Sequence, residues 1–255
     1  MHTYKWLAIE TSTDMLSLAI ASTQGDKSQV WTHMSQGGAK SSQLVLPEIV
    51  RLMEEAQIRF TDLTAVVFGK GPGSFTGLRT ACSVAQGLAF GADVLVLPID
   101  TLLAVAEDAR YQNVQQTQQQ IKLPEEVQRF FVAMDARMDQ VYTAAYEWRS
   151  EWQCVQAASV NSPEEICLPT EWKDLAFTTV GNAWDAFTTR WPAELSGKHM
   201  HAMPTAQALL RLSPVAFEQG LAVPPEEALP LYIRDKVAQT TQERAQLKLA
   251  TTIST

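Results

Sequence analysis

The sequence predicts an α/β protein made of two lobes of related design. Three observations point to it. Strand-like apolar runs alternate with stretches of helical period, the opening strand–turn–strand returns after residue 125, and 255 residues suit one large domain or two small lobes. The returning unit is AMDARMD, Ala133 to Asp139, which aligns with AIETSTD, Ala8 to Asp14. A repeated motif implies a repeated piece of architecture.

The elements follow in order. KWLAIETSTDMLSLAIAS reads as strand, turn, strand, with apolar Trp6 to Ile9, turn formers in ETSTD, and Leu16 to Ala21 as the return. Val30 to Met34 supplies a third strand, so an antiparallel meander opens the chain. Ser41 to Ala56 reads as a helix with Leu46, Ile49, Val50 and Met53 on one stripe and Val45, Leu52 and Ala56 beside it. Those positions fill an arc of roughly 160°, wide enough to bury two faces, although Pro47 removes a helical hydrogen bond. TAVVFGKG is a buried strand, and Ser74 is placed to cap a helix from Phe75 to Phe90. Gly77, Ala81, Ala85 and Ala89 recur there at steps of four, a smooth stripe that permits close packing.

VLVLPID is a further strand and Leu102 to Arg110 a short helix, whereas YQNVQQTQQQIKLP reads as a loop or linker. In the second half, FFVAMDARMDQVYTAAYEW is again strand, turn, strand. Ser162 caps a short helix at PEEI, AFTTVGN is a strand and turn, Thr205 to Gln219 is a helix that Pro214 should kink, and LPLYIR is a strand-like finish. The expected lobes are residues 1–110 and 125–236, followed by a polar tail, 237–255, with the composition of a disordered segment.

Composition narrows the function. Acidic residues outnumber basic ones 28 to 20, for a net charge of -8, so the cationic surface that dominates nucleic-acid affinity is missing. No apolar run reaches membrane-spanning length and no secretory signal opens the chain, which reads as cytosolic. Cys82, Cys154 and Cys167 are three, widely spaced, and fit neither a disulfide framework nor a zinc knuckle; they read as buried small hydrophobes.

Several stretches carry candidate chemistry. GKGPGSFTGLR, Gly69 to Arg79, is bare enough for a phosphate or another protein to approach, but it has neither the lysine nor the spacing of a P-loop, and the bland reading is a tight strand-to-helix connection. Thr11, Ser12 and Thr13 could offer hydroxyls to a phosphate, or form an ordinary hairpin tip. Proteins of the actin and sugar-kinase type clamp phosphates between two such hairpins. The second copy here, DARMD, has no glycine or hydroxyl, and Arg137 and Met138 stand where a phosphate would sit. Ser74 lacks a nucleophile's context and reads as a cap. His199 and His201 form an H-x-H with no evident third ligand, and Asp135 and Asp139 are either acid and base or local hydrogen-bonders.

With these residues in view, the chain resembles the bacterial TsaB (YeaZ) family along residues 5–236. The block GKGPGSFTGLRTACSVAQGLAFGA is close to that family's G-R-G-P-G-S-F-T-G-[LV]-R signature, with Lys70 in place of arginine. LAIETST, with Glu10 for the usual aspartate, SSQLVLPEI, MDARMDQVY, VGNAW and PLYIR support it. The resemblance implies an actin-like (ASKHA, ribonuclease H-like) fold with a reduced second lobe. It implies an accessory role in forming threonylcarbamoyladenosine at position 37 of tRNA, with no catalytic residue and no metal of its own. ATP and metal are expected on the paralogous partner TsaD, with the ATPase TsaE assisting. At the place of the partner's metal-binding histidines this chain has Lys40, Ser41, Ser42 and Gln43. Family members pair through the helices after the meander and after the glycine loop. Val45, Ile49, Leu52 and Met53 of the first, with Gly77, Ala81 and Ala85 of the second, are therefore expected to build or support the interface. The signature positions Gly69, Gly71, Pro72, Gly73, Ser74, Phe75, Thr76, Gly77 and Arg79 would serve that partner rather than a phosphate. A bulky residue at Ala81 or Ala85 should then weaken partner binding and leave the subunit folded. A homodimer is expected when the partner is missing, and tRNA is met only through the complex. The rival reading is an independent ATP-dependent kinase of the same fold, or a peptidase.

Overall fold

The structure is a computed structural model and describes residues 3–25, 27–117, 127–195 and 199–234. The glutamine-rich expectation for 118–124 and the tail expected at 237–255 lie outside the described residues.

Apolar runs buried on both faces become central strands, and here they make two five-stranded sheets. Sheet A contains β1 (Thr3–Glu10), β2 (Met15–Gln24), β3 (Lys27–Gln36), β4 (Ala65–Gly71) and β5 (Leu95–Asp100), in the order β3-β2-β1-β4-β5. The first three form the antiparallel meander, and β4 and β5 add in parallel. Sheet B contains β6 (Gln128–Asp135), β7 (Val141–Trp148), β8 (Trp152–Asn161), β9 (Thr178–Gly181) and β10 (His199–Met200), in the order β10-β9-β6-β7-β8. Counted from its own first strand, sheet B repeats sheet A: meander, then two parallel strands beside the first. Glu10 and Asp135 end the equivalent strands, and the aligned sequence segments mark the same hairpin twice.

Side chains alternate across each strand, so each sheet builds two cores. Leu7, Ile9, Leu18, Val66 and Phe68 meet α1 (Ser41–Ala56) and α2 (Phe75–Ala92) on the outer face of sheet A. Trp6, Ala8, Val67 and Leu97 meet α4 (Ala206–Glu218) and the start of α3 (Thr101–Thr117) on the inner face. The other side of α3 packs on Phe130, Val132 and Tyr146 of sheet B. Beyond sheet B there is no equivalent of α1 and α2 among the described residues. Short 3-10 turns at Pro163–Glu165, Thr170–Trp172 and Ala193–Leu195, with the turn after β9 that carries Trp184, cover Phe131 and Ala133 with Trp172, Trp184 and Leu195. The fold is thus the actin-like two-sheet α/β architecture with a reduced second half. No helix among the described residues is long and apolar enough to cross a membrane.

Several local expectations change. α3 continues seven residues past Arg110, because glutamine is a good helix former and Arg110 and Arg211 lie over the rings of Trp148 and Tyr111. Pro47 and Pro214 sit inside unbroken helices. Ser162 makes no side-chain cap at its 3-10 turn. Residues 228–234 form a strap rather than a strand: Leu231 N–H donates to Lys70 O at 2.7 Å, with no further strand ladder. Cys82 is buried as expected, but Cys154 and Cys167 are exposed; all three are free thiols.

Candidate functional site

Two surfaces collect the residues singled out by sequence. The first is the α1–α2 layer. Every position expected at the interface turns inward: Val45, Ile49, Leu52 and Met53 of α1 and Gly77, Ala81 and Ala85 of α2 are buried against sheet A. They support that surface from beneath and do not themselves face outward. The expectation that a bulky residue at Ala81 or Ala85 would leave the fold intact is corrected for the same reason, since both are at most 1% exposed and a larger side chain would overpack the core.

Outward, the layer shows different residues. Leu46 and Val50 lie one turn apart on α1 and are each close to half exposed. On α2, Ser83, Gly87 and Gly91 recur at steps of four on the exposed side, with Phe90 beside them at 79% exposure. A Cβ at Gly87 or Gly91 would meet nothing within 4 Å. Internal packing therefore gives no reason for glycine there, although each costs the helix about 0.5–1 kcal/mol relative to alanine. The inward stripe of alanines masked this outer one, which was legible as S-x-x-x-G-x-x-x-G. Because α1 and α2 touch each other on one face of sheet A, their outer sides form one continuous surface.

The second surface is the cleft between the sheets, a cavity of about 400 Å³ bordered by both hairpins. The glycine loop lies at its edge, and its bareness is used by the chain itself. At Gly77 a Cβ would sit 1.8 Å from Thr11 O, and Thr11 Oγ1 donates to Gly77 O at 2.7 Å, so the first hairpin locks onto the start of α2. Gly71, at φ +118°, leaves room for Leu231 O of the strap. Gly69 lies against the Glu10 carboxyl, Gly73 against Ser12, and Pro72 lines the cavity. Ser74 is the cap expected: its Oγ accepts from Gly77 N–H and its own N–H donates to Ser12 O. Thr76 O accepts from Thr80, while the Arg79 guanidinium lies over the Phe75 ring at 3.8 Å and the Tyr232 ring meets Phe75 at a tilt.

The hydroxyls proposed for phosphate are committed differently. Thr11 turns inward to α2, and Thr13 Oγ1 accepts from Met15 N–H, leaving Ser12 and Thr13 at the cavity wall. Beneath them Glu10 is 1% exposed; its Oε1 accepts from Ser12 N–H at 2.6 Å, and burial raises its pKa.

Across the cleft, Arg137, Met138 and Asp139 all adopt positive φ, 54° to 61°, an uncommon conformation for side-chain-bearing residues. The surroundings hold it. Arg234 of the strap donates to Ala136 O at 2.9 Å and Arg137 O at 3.4 Å, and Asp135 accepts from Arg137 N–H. Arg137 then reaches across to Asp14 at 2.7 Å, joining the two hairpin tips where a phosphate clamp would need to be open. Arg234 was not anticipated; its signal was the PLYIR motif.

The remaining candidates take the bland roles. Asp139 pairs with Arg190, and Asp135 holds its own turn. His199 stacks on Trp184 and bonds Thr179 at 2.9 Å; burial lowers its pKa. Among the described residues no three His, Cys, Asp or Glu side chains converge to hold a metal.

Comparison with known proteins agrees with this geometry. The family model for TsaD, tRNA N6-adenosine threonylcarbamoyltransferase, matches residues 26–242. The chain is 31% identical over 241 residues to the tRNA threonylcarbamoyladenosine biosynthesis protein TsaB of Escherichia coli, covering 91% of this chain and 95% of that one. It is 32% identical to the Haemophilus influenzae protein of the same name, covering 91% and 94%. Among solved structures, YeaZ from Pseudomonas aeruginosa superposes with a TM-score of 0.76 at 30% identity, over 90% of this chain and 99% of that one.

Proposed function

The chain belongs to the TsaB (YeaZ) family, and from that membership we propose that it is a non-catalytic accessory subunit for threonylcarbamoyl transfer to tRNA adenosine. Its work is to dock on a TsaD-type catalytic subunit, assisted by TsaE, with the outer sides of α1 and α2. The observation that carries the reading is the outer side of α2. Gly87 and Gly91 weaken the helix, face open space, and stand beside a largely exposed phenylalanine, a combination that suits the close approach of a second helix. Val45, Ile49, Leu52, Met53, Gly77, Ala81 and Ala85 hold that surface rigid from below. The signature loop contributes by fixing α2 to the first hairpin.

The cleft supports the non-catalytic half of the reading. Arg137 bridges to Asp14 across the space a transferred phosphate would occupy, and two of the three hairpin hydroxyls are spent on protein groups. Of the three, only the Ser12 hydroxyl is left for a vestigial phosphate contact, so ATP and any metal belong to the partner. A net charge of -8 leaves tRNA to be held by the complex.

The test is reconstitution. Purified TsaD-type partner, with TsaE, ATP, threonylcarbamoyl donor and tRNA, should modify adenosine well only when this chain is added, and this chain alone should transfer nothing. Full activity without it, or transfer by it alone, overturns the reading.

A further inference from the structure

We propose that the strap, residues 228–234, is a coupling arm between the flank of α2 and the turn of the second hairpin, so that a subunit docked beside α2 tightens the latch across the cleft. The docked subunit rests on the function proposed above; the arm itself belongs to the chain alone.

The strap has no regular secondary structure of its own, and its position is set by what it touches. Ala228 O accepts from Gln86 Nε2 at 3.0 Å and from Cys82 Sγ at 3.4 Å, both on α2. Leu231 N–H donates to Lys70 O, and Gly71 lacks the Cβ that would stand 2.6 Å from Leu231 O. Tyr232 lies against Phe75, and its hydroxyl accepts from Arg79 Nε at 3.0 Å. Arg234 then passes to the other sheet and donates to Ala136 O and Arg137 O. Phe75, Arg79, Cys82 and Gln86 are spaced four, three and four apart, so they share one side of α2. Ser83 and Phe90, on the outer side, stand one turn from Arg79 and Gln86 respectively. A body covering that outer side therefore borders the side chains that seat the strap, and Leu229 and Tyr232 of the strap are themselves 69% and 44% exposed.

The far end of the strap is where a small displacement counts. Left-handed conformations at three consecutive residues with side chains, Arg137 to Asp139, persist only where the surroundings over-determine them. Within the turn, Gln140 N–H donates to Arg137 O at 3.2 Å and Ala136 N–H to Gln140 O at 2.9 Å. From outside it, Arg234 holds the same Arg137 carbonyl and its neighbour. The bridge from Arg137 to Asp14 joins two exposed groups, and a pair of that kind contributes little unless its geometry is imposed. The turn imposes that geometry, and Arg234 fixes the turn. Freeing the strap at α2 thus loosens the latch, and by reciprocity opening the latch loosens the strap.

Hydrogen exchange in the full chain alone tests the arm, because amide protection reports local opening. Arg234→Ala should speed exchange at Ala136 and Gln140 about tenfold or more. Arg79→Ala, an exposed change on α2, should speed the same two amides about fivefold or more, the lower end of coupling between linked sites. Arg137→Ala should speed exchange at Leu231 in turn. Amides of β1 should keep the parent's rates in all three variants, which excludes a general loss of stability. Hairpin rates unaltered in Arg79→Ala overturn the proposal, since a strap that only fills space would confine the effect to α2 and itself. With a TsaD-type partner bound, exchange at Ala136 and Gln140 should slow about fivefold or more. A partner that binds and leaves them unaltered overturns the link to docking, and the accessory function stands. A partner that fails to bind overturns that function and the docked half of the proposal with it, while Arg79→Ala decides the arm.

Discussion

Glu10 holds a carboxyl in a place that offers it no counter-charge. It ends β1 beneath the first hairpin, receives Ser12 N–H on one oxygen, and has no partner for the other among the described residues. Desolvation disfavours the charged form and raises the pKa in the folded state above the unfolded value. The group therefore favours folding fully only below its unfolded pKa, and that contribution is lost as pH rises through the folded pKa. Glu10→Gln keeps the acceptor for Ser12 and removes the ionisation. It should raise the melting temperature at pH 8, with a smaller gain near pH 5; a variant less stable than the parent at pH 8 contradicts this. The sequence displayed a hydroxyl-rich turn but hid this burial, because the depth of Glu10 is set by Gly69, distant in sequence and packed against its carboxyl. The same holds for Arg137: its position in a turn was readable, while its bridge to Asp14 depends on how the two sheets face each other.

The helices α1 and α2 separate what local sequence can say from what it cannot. Their spans followed from period and from the Ser74 cap, both local signals, and α1 runs over Ser41–Ala56 as expected. Which side faces the sheet was not local. Two stripes of small residues run along α2, one on alanines that touch β4 and one on Ser83, Gly87 and Gly91, and periodicity weighs them equally. Burial assigns the first to the core and leaves the second exposed. Opposite effects on stability and binding follow. Gly87→Ala should stabilise the subunit by about 0.5–1 kcal/mol, since its Cβ meets open space. Gly87→Arg should leave the fold intact and weaken binding to a TsaD-type partner by about tenfold or more, a loss of about 1.4 kcal/mol. Ala85→Leu should instead cost the fold itself about 1–3 kcal/mol. Thermal melts paired with titration of the partner distinguish these cases; unaltered affinity in Gly87→Arg would remove α2 from the interface.

At the scale of the molecule, the two sheets are joined through α3 and α4, and Glu107 is the node of that joint. It is 2% exposed, yet it accepts from Arg110 of its own helix at 2.8 Å, from Arg211 of α4 at 2.8 Å, and from Trp152 Nε1 of β8 at 3.0 Å. One carboxylate thus ties the helical layer on sheet A to the edge of sheet B. Repetition of strand order was legible as the AIETSTD and AMDARMD match, but this joint was not, because its members lie on three separate elements and none stands in a recognisable motif. Removing a buried carboxylate that satisfies two guanidinium groups leaves Arg110 without its ion pair and Arg211 with only the longer one to Asp108 at 3.8 Å, and losses of this kind run to about 3–5 kcal/mol. Glu107→Ala should lower stability by about that amount in urea unfolding. If the sheets unfold as one unit, the transition stays single and its slope stays unchanged, because the surface exposed on unfolding is the same. A second, earlier transition would mean that sheet B opens alone once the node is gone. A loss below about 1 kcal/mol would reduce Glu107 to the standing of an exposed ion pair, and the joint between the layers would then rest on the apolar contacts of α3.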